Sequence, residues 1–122
     1  MSGNNLLLDP NIIGYALKGL AHVKPYFSSN PFISVITEME ILGVKEIADD
    51  ELSVRETAIE FCSIIPFTNK IKARAILIKR QIKIPLPDAI IGATAIEEGL
   101  TLVTADKGFR RIKELQLILI EV

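Results

Sequence analysis

The chain has 122 residues, of which 49% are hydrophobic and 24% are charged, and it contains 7 glycines and 6 prolines. This composition fits one globular domain over residues 1–122 and excludes intrinsic disorder, collagen-like repeats and a low-complexity linker. The net charge of −1 gives no overall signal of nucleic-acid binding.

Signals for targeting and for the cellular compartment point to the cytoplasm. No apolar run approaches the roughly 18 residues that a membrane-spanning helix needs. No basic residue precedes the leucines of Leu6–Leu8, and Asp9 interrupts them, so we expect neither a signal peptide nor a membrane contact. Cys62 is the only cysteine and His22 the only histidine, so the chain cannot form an internal disulfide or a zinc site. We therefore expect a cytoplasmic protein.

The predicted elements alternate along the chain between short apolar strands and amphipathic helices. We expect five strands, at Leu6–Leu8, Phe32–Ile36, Ile64–Phe67, Thr101–Val103 and Leu117–Ile120. Helical spacing predicts a helix that begins near Ile12, and further helices over Thr37–Ala48, Ser53–Cys62, Asn69–Lys83 and Asp88–Glu98, the last followed by Gly99. Continuously apolar strands separated by helices indicate an α/β fold whose parallel sheet is covered on both faces.

Acidic residues follow the predicted strands at the points where ligands bind in such folds. The carboxyl ends of parallel strands lie at one edge of the sheet. Asp9 ends the first strand, and Asp106 closely follows the fourth. Glu40 lies in the helix after the second strand, and Asp88 begins the helix that leads to the fourth.

Each acidic residue also has a purely structural explanation. Asp9 can cap the helix that follows it, and Thr37 with Glu40 matches a capping box. Asp88 suits the positive end of a helix dipole, and Asp106 before Lys-Gly is a common turn residue.

Asp88 is the hardest of the four to explain structurally. The helix after it is apolar on nearly all sides up to Ile96, with Thr94 as its only polar side chain, which indicates burial. An unpaired carboxylate there is costly, and no basic residue lies within helical reach. Four carboxylates without histidine or cysteine are typical of a Mg²⁺ or Mn²⁺ site, which can activate water against a phosphodiester.

Basic residues are concentrated in the second half of the chain. Residues 1–69 hold 4 basic and 9 acidic side chains, whereas residues 70–122 hold 10 basic and 6 acidic ones. These cations either cover solvated helix faces or contact phosphates. The candidates for nucleic-acid contact are Lys72, Lys79 and Lys83, predicted to share a stripe of one helix, together with Arg110 and Arg111.

Four segments, at residues 7–13, 33–40, 86–95 and 102–106, resemble the PIN-domain ribonucleases. Among these the chain is most similar to the VapC-type toxins of type II toxin–antitoxin systems. The segments cover almost the whole chain in order, and Pro-Asp-Ala-Ile-Ile-Gly-Ala-Thr-Ala is the most specific. The resemblance implies a three-layer α/β/α fold with a mainly parallel five-stranded sheet. It also implies Mg²⁺- or Mn²⁺-dependent endonucleolytic cleavage of RNA, often tRNA or rRNA, homodimerisation, and inhibition by a small cognate antitoxin.

The resemblance also assigns roles to individual residues. Asp9, Glu40, Asp88 and Asp106 match the acidic quartet that binds metal and carries out catalysis, and Asn11 and Thr104 match supporting positions.

Two departures from the family pattern qualify the assignment of activity. Pro10 replaces the usual threonine or serine, which removes a hydroxyl and a backbone N–H, and Gly108 replaces a frequent acidic residue. The alternative to an active nuclease is therefore a catalytically weak PIN module that binds RNA or a protein partner. A receiver-type phosphoacceptor domain fits less well, because the third strand ends in Ile-Pro-Phe without an aspartate.

Overall fold

Five parallel strands form one sheet in the computed structural model, which describes residues 5–28 and 30–121. The strand order is β3-β2-β1-β4-β5, with bounds β1 Leu6–Leu8, β2 Phe32–Ser34, β3 Ser63–Ile65, β4 Thr101–Thr104 and β5 Gln116–Leu119. Every neighbouring pair is parallel, so the predicted α/β fold with a five-stranded sheet is confirmed. The expectation of no signal peptide rests partly on residues 1–4, which lie outside the described residues.

Five α-helices and two 3₁₀ segments connect the strands. The helices are α1 Pro10–Leu17, α2 Val35–Leu42, α3 Asp49–Glu60, α4 Asn69–Gln81 and α5 Leu86–Glu98. The 3₁₀ segments are Ala21–Tyr26 and Lys107–Arg111. Within the described ranges, no helix has the length and apolarity needed to cross a membrane.

Alternation along the central strands creates the three layers. Successive side chains of a strand point to opposite faces, and Leu7 and Leu8 accordingly belong to two different core clusters. One cluster joins Leu7 to α4 and α5 through residues such as Ile78 and Ile91. The other joins Leu8 to α1, α2 and α3 through residues such as Ile12. The sheet is therefore covered by helices on both faces.

The second strand is shorter than predicted, and α2 begins earlier. Ser34 caps α2, since its Oγ accepts a hydrogen bond from the Ile36 N–H at 3.1 Å. The β-branched pair Val35-Ile36 therefore starts a helix instead of extending the strand. Thr37 lies inside the first turn, so the predicted capping box, with Thr37 as the cap, is wrong.

Other predicted boundaries shift for local reasons. The second helix ends at Leu42 rather than Ala48, before Gly43, and α3 begins at Asp49, where three acidic residues favour a helix N-terminus. α5 begins at Leu86 with Pro87 in its first turn, and Gly99 at φ +67° ends it as expected.

α4 ends at Gln81 rather than at Lys83. Ile82 has extended dihedrals, and Ile84 of the following segment is buried. Lys83 therefore lies in the loop 82–85 between α4 and α5, and the predicted stripe of Lys72, Lys79 and Lys83 on one helix is wrong.

The direction of winding reverses at the centre of the sheet. The chain proceeds from β1 to β2 and β3 on one side, and then places β4 on the other side of β1. Such a reversal leaves a crevice outside the carboxyl ends of β1 and β4. Ligands usually bind in this crevice in open α/β sheets. Asp9 follows β1 directly at this crevice, and Asp106 follows β4 by two residues.

Candidate metal centre

Asp9 is a buried carboxylate at the end of the central strand. Its backbone N–H donates to the Val103 carbonyl at 3.0 Å, which extends the pairing of β1 with β4. Asp9 occupies the N-cap position of α1, but its side chain caps no backbone N–H of the helix. Its Oδ2 instead accepts a hydrogen bond from Thr104 Oγ1 at 2.6 Å. The structural explanation of this side chain as a helix cap is therefore wrong.

Thr104 connects three segments of the crevice through one hydroxyl group. Besides donating to Asp9, Oγ1 accepts from the Asp106 N–H at 3.0 Å and from Asn11 Nδ2 at 3.3 Å. Asn11 Oδ1 in turn accepts from the Ala105 N–H at 3.3 Å. A hydroxyl has one donor and two acceptor positions, and all are used here. Asn11 and Thr104 thus fix the ends of β1 and β4 to one another.

The other three acidic residues lie within electrostatic range of Asp9 and are more exposed than it is. Asp88 is half-buried in the first turn of α5, and Glu40 and Asp106 are exposed. Asp9 interacts electrostatically with all three, Glu40 interacts with Asp88, and Asp88 interacts with Asp106. The structure therefore brings the four predicted carboxylates to one edge of the sheet.

Burial and repulsion from neighbouring carboxylates raise the pKa values of Asp9, Glu40 and Asp88 and so favour their neutral forms. Burial, the largest cause, and the charges of Asp88, Asp106 and Glu40 raise the pKa of Asp9 from 3.8 to about 7, although the Thr104 hydrogen bond lowers it. The pKa values of Glu40 and Asp88 are also raised, by burial first and then by a neighbouring carboxylate. None of the four forms an ion pair with a described residue. When these carboxyl groups are ionised, no ion pair within the described residues balances their negative charge.

The donor set fits a hard divalent cation. Carboxylate and hydroxyl oxygens are the ligands that Mg²⁺ and Mn²⁺ prefer. Across residues 5–28 and 30–121, no three Asp, Glu, His or Cys side chains are grouped closely enough to hold one ion directly. Mg²⁺ keeps several waters and uses few direct carboxylates, so the site fits an ion held partly through water.

Thr37 is a polar residue of this region that sequence reasoning assigned to a different role. Its side chain is fully buried, and its Oγ1 has no hydrogen-bond partner among the described residues. Positions three apart lie on the same face of a helix, so Thr37 shares the face of Glu40. The only sequence signal for Thr37 was its spacing of three residues from Glu40, which we interpreted as a capping box.

Four of the five predicted nucleic-acid contacts line two cavities that share Lys79. Lys79, Lys83 and Arg111 line one open cavity beside the loop 82–85. Lys72 lines a second, largely apolar cavity that Lys79 also borders, and the exposed Arg110 lines neither cavity. The structure thus brings together three of the five residues.

The PIN-domain family model matches residues 6–115, which include all four carboxylates. The chain belongs to the PIN-domain family. No curated protein matches the sequence. The fold is similar to a chain of a toxin–antitoxin complex from Klebsiella pneumoniae, with 29% identity, a TM-score of 0.81, and coverage of 96% of this chain and 99% of that chain.

Two further solved structures support the same fold. A chain of VapBC2 from Rickettsia felis, bound to a fragment of promoter DNA, has 25% identity, a TM-score of 0.76, and coverage of 95% of this chain and 98% of that one. A chain of DNA-bound VapBC from Salmonella typhimurium has 23% identity, a TM-score of 0.83, and coverage of 94% and 97%, and indicates the fold alone. The resemblance to VapC-type PIN domains is therefore confirmed.

The raised pKa of Asp9 predicts that the metal-free PIN domain loses stability as the pH rises. The unfolded chain releases this proton near pH 3.8, whereas the folded chain keeps it up to about pH 7. The folded state therefore binds more protons in this interval, and we expect a loss of about 4 kcal/mol in unfolding free energy between pH 4 and 8. Urea unfolding in EDTA measures this loss, and Asp9→Asn should remove most of it. An unchanged pH dependence in Asp9→Asn would contradict the assignment.

We expect the hydroxyl of Thr104 to contribute more to the unfolding free energy than the volume of its side chain does. Thr104→Val keeps the side-chain volume but leaves Asp9 and the Asp106 N–H without this partner, so we expect a loss of about 1–3 kcal/mol in unfolding free energy. Thr104→Ser retains the hydroxyl and should lose less. Thr94→Val is the matched control, because buried Thr94 donates only to the Ile90 carbonyl of its own helix. Equal stability of Thr104→Val and Thr94→Val would contradict the role of the network.

Proposed function

We propose that this PIN domain is a metal-dependent endoribonuclease and the toxin of a type II toxin–antitoxin pair. Its substrate is RNA, with tRNA or rRNA as the expected class, and its ion is Mg²⁺ or Mn²⁺. The main support is the group of four carboxylates at the crevice, which form no ion pair with any residue that the structure describes, and of which Asp9 is buried with a pKa of about 7. Such a group is costly unless a cation compensates its charge.

The proposed site contains carboxylates that would bind the metal and a hydroxyl that positions them. Asp9, Glu40, Asp88 and Asp106 would hold the ion, partly through water, and the ion would supply positive charge for the phosphoryl group and an activated water. Thr104 holds the Asp9 carboxylate in one orientation, and the same hydroxyl holds the Asp106 backbone. The exposure of Glu40 and Asp106 leaves this edge open to a polymeric substrate.

We also propose that the chain forms a homodimer and binds a small antitoxin in the cytoplasm. Two apolar surface regions support binding of protein partners, since exposed apolar patches commonly mark interfaces. One lies between α1 and α3 and includes the exposed Val54 and Phe61, and the other, between α4 and α5, includes Phe67, Ile76 and Leu86. The similar structures named above are toxin–antitoxin or VapBC complexes.

Pro10 favours the second candidate function, a catalytically weak PIN module that binds RNA or a partner. It occupies the first position of α1 and lies directly between Asp9 and Asn11. Its ring offers neither a hydroxyl nor a backbone N–H to the crevice. The helix itself tolerates this residue well, because the fixed φ of proline suits the first turn.

Removal of one metal-binding carboxylate tests the nuclease proposal. Asp88→Asn should retain the fold, or stabilise it in EDTA, because it relieves repulsion with neighbouring carboxylates. We expect it to abolish Mn²⁺ binding in calorimetry and Mn²⁺-dependent cleavage of a labelled RNA pool. Glu60→Gln is the control, because exposed Glu60 ends α3 just before β3 enters the sheet at the opposite edge. Wild-type Mn²⁺ affinity in Asp88→Asn would contradict the assignment.

Restoring the missing hydroxyl tests the two candidate functions against each other. A lost positioning contact commonly reduces a rate by a factor of roughly 10 to 1,000, or about 1–4 kcal/mol. We expect slow, metal-dependent cleavage by the natural chain and faster cleavage by Pro10→Thr, with similar Mn²⁺ affinity. Single-turnover rates at saturating Mn²⁺ provide the comparison. Equal rates would show that the hydroxyl is dispensable, and no cleavage by either protein would favour the binding module.

A further inference from the structure

A cationic cavity lies beside the loop that leads into the helix of Asp88. The cavity has a volume of about 530 Å³ and is lined by Lys79, Lys83, Ile84, Pro85 and Arg111. Three of these five residues carry a positive charge and none is acidic. None of the three cations forms an ion pair with a described residue. The cavity therefore concentrates positive charge next to a crevice that concentrates negative charge.

Two of the cations are held in place without being neutralised. Lys79 Nζ donates to the Ile84 carbonyl at 2.7 Å. Arg111 donates from Nη1 to the Lys83 carbonyl and from Nε to the Gly108 carbonyl. Carbonyl oxygens carry no net charge, so they immobilise these groups and leave both the charge and the remaining N–H donors available. Cations that are already ordered lose less entropy when they bind an anion.

Arg74 shows the opposite arrangement in the same half of the chain. Its Nε donates to Glu97 at 2.8 Å, and its Nη1 donates to Glu114 at 3.0 Å. Two carboxylates thus neutralise Arg74, which is an intramolecular ion-pair residue. Arg111 has no such partner in the part of the chain that the structure describes, and its anchoring by carbonyls distinguishes it from a structural ion pair.

Gly108 keeps the guanidinium of Arg111 unpaired and close to the carboxylate crevice. A Cβ at this position would lie 3.1 Å from Asp106 Oδ1 and 3.5 Å from Arg111 Nη2. The Asp106 carboxylate accepts from the Gly108 N–H at 2.8 Å instead of binding Arg111. An acidic side chain at this position would be near enough to pair with the guanidinium. Glycine leaves that charge available to a ligand.

We propose that the cavity of Lys79, Lys83 and Arg111 is a subsite for a backbone phosphate of the RNA, next to the phosphate that is cleaved. Asp106 Oδ1 and Arg111 Nη2 lie 3.1 and 3.5 Å from the position that a Cβ of Gly108 would take, so the cavity adjoins the Asp106 segment. Lys83 lies in the loop just before α5, the helix that carries Asp88. A guanidinium fork and two ammonium groups suit the oxygens of a phosphodiester. The subsite also compensates the repulsion between RNA and the acidic crevice. The inference rests on the proposed function, because RNA supplies the phosphate.

Lys83→Gln is the direct test, because the Lys83 side chain makes no hydrogen bond within the described structure and its loss should not disturb the loop. We measure anisotropy of a short labelled RNA with the metal-free protein in EDTA over a range of salt concentrations. We expect Lys83→Gln to weaken binding about tenfold and to reduce the salt slope by about 0.7–1. Lys83→Arg should restore both. Lys18→Gln, an exposed cation at the far end of α1, should change neither.

Equal affinity and salt slope for Lys83→Gln and Lys18→Gln would overturn the subsite. Inorganic phosphate is the second probe: competition with RNA that Lys83→Gln abolishes supports it. Phosphate binding that depends on Lys83 while RNA affinity does not would overturn it, since the cavity would then take a free anion alone. These measurements need no cleavage. RNA binding through Lys83 without any nuclease activity would support the subsite and contradict the nuclease proposal, and cleavage with an unaltered Lys83→Gln affinity would do the reverse.

Discussion

The hydrogen bond from Thr104 to Asp9 is the constraint on which the candidate site depends. The sheet winds in opposite directions on the two sides of β1, so the ends of β1 and β4 border an open crevice instead of a covering helix. The hydroxyl of Thr104 joins the two ends at 2.6 Å and also holds the Asp106 backbone. Asp9 and Asp106, which follow different strands, thereby share one support. Movement of either strand end would alter both.

The same arrangement stores electrostatic strain in the fold. A carboxylate that is 5% exposed, has a pKa of about 7 and interacts with three other acidic residues stabilises nothing on its own. The two core clusters on either side of the sheet supply the stability that makes this tolerable. Local conflict of this kind is expected where a site is arranged for a ligand rather than for folding.

The sequence predicts the layers of this fold better than its boundaries. Apolar runs and helical spacing place all five strands and all five helices, because burial on both faces of a sheet leaves a strong pattern. The boundary between β2 and α2 is misplaced because Val35 and Ile36 have high strand propensity, whereas the cap at Ser34 decides the outcome. The four carboxylates follow from topology and family resemblance. The contacts of Lys79 and Arg111 with backbone carbonyls could not be predicted from the sequence. Both accepting carbonyls lie in the loop 82–85, and local sequence does not indicate that Arg111 would reach Lys83, 28 positions away.

Two departures from the PIN-family pattern near the crevice show that family membership alone does not determine the chemistry of the site. The PIN fold accounts for the acidic positions, but Pro10 and Gly108 alter what surrounds them. Pro10 suits the start of α1, so it does not destabilise the helix. It does remove a hydroxyl and a backbone N–H beside Asp9, which changes the polar groups available at the site. Gly108 acts in the other direction, because the missing side chain leaves the Arg111 charge free near Asp106. Under the proposed function, the first change removes support from the metal site, and the second leaves a positive charge for the RNA phosphates. For the proposed nuclease, the balance between cleaving RNA and only binding it therefore depends on residues outside the acidic quartet.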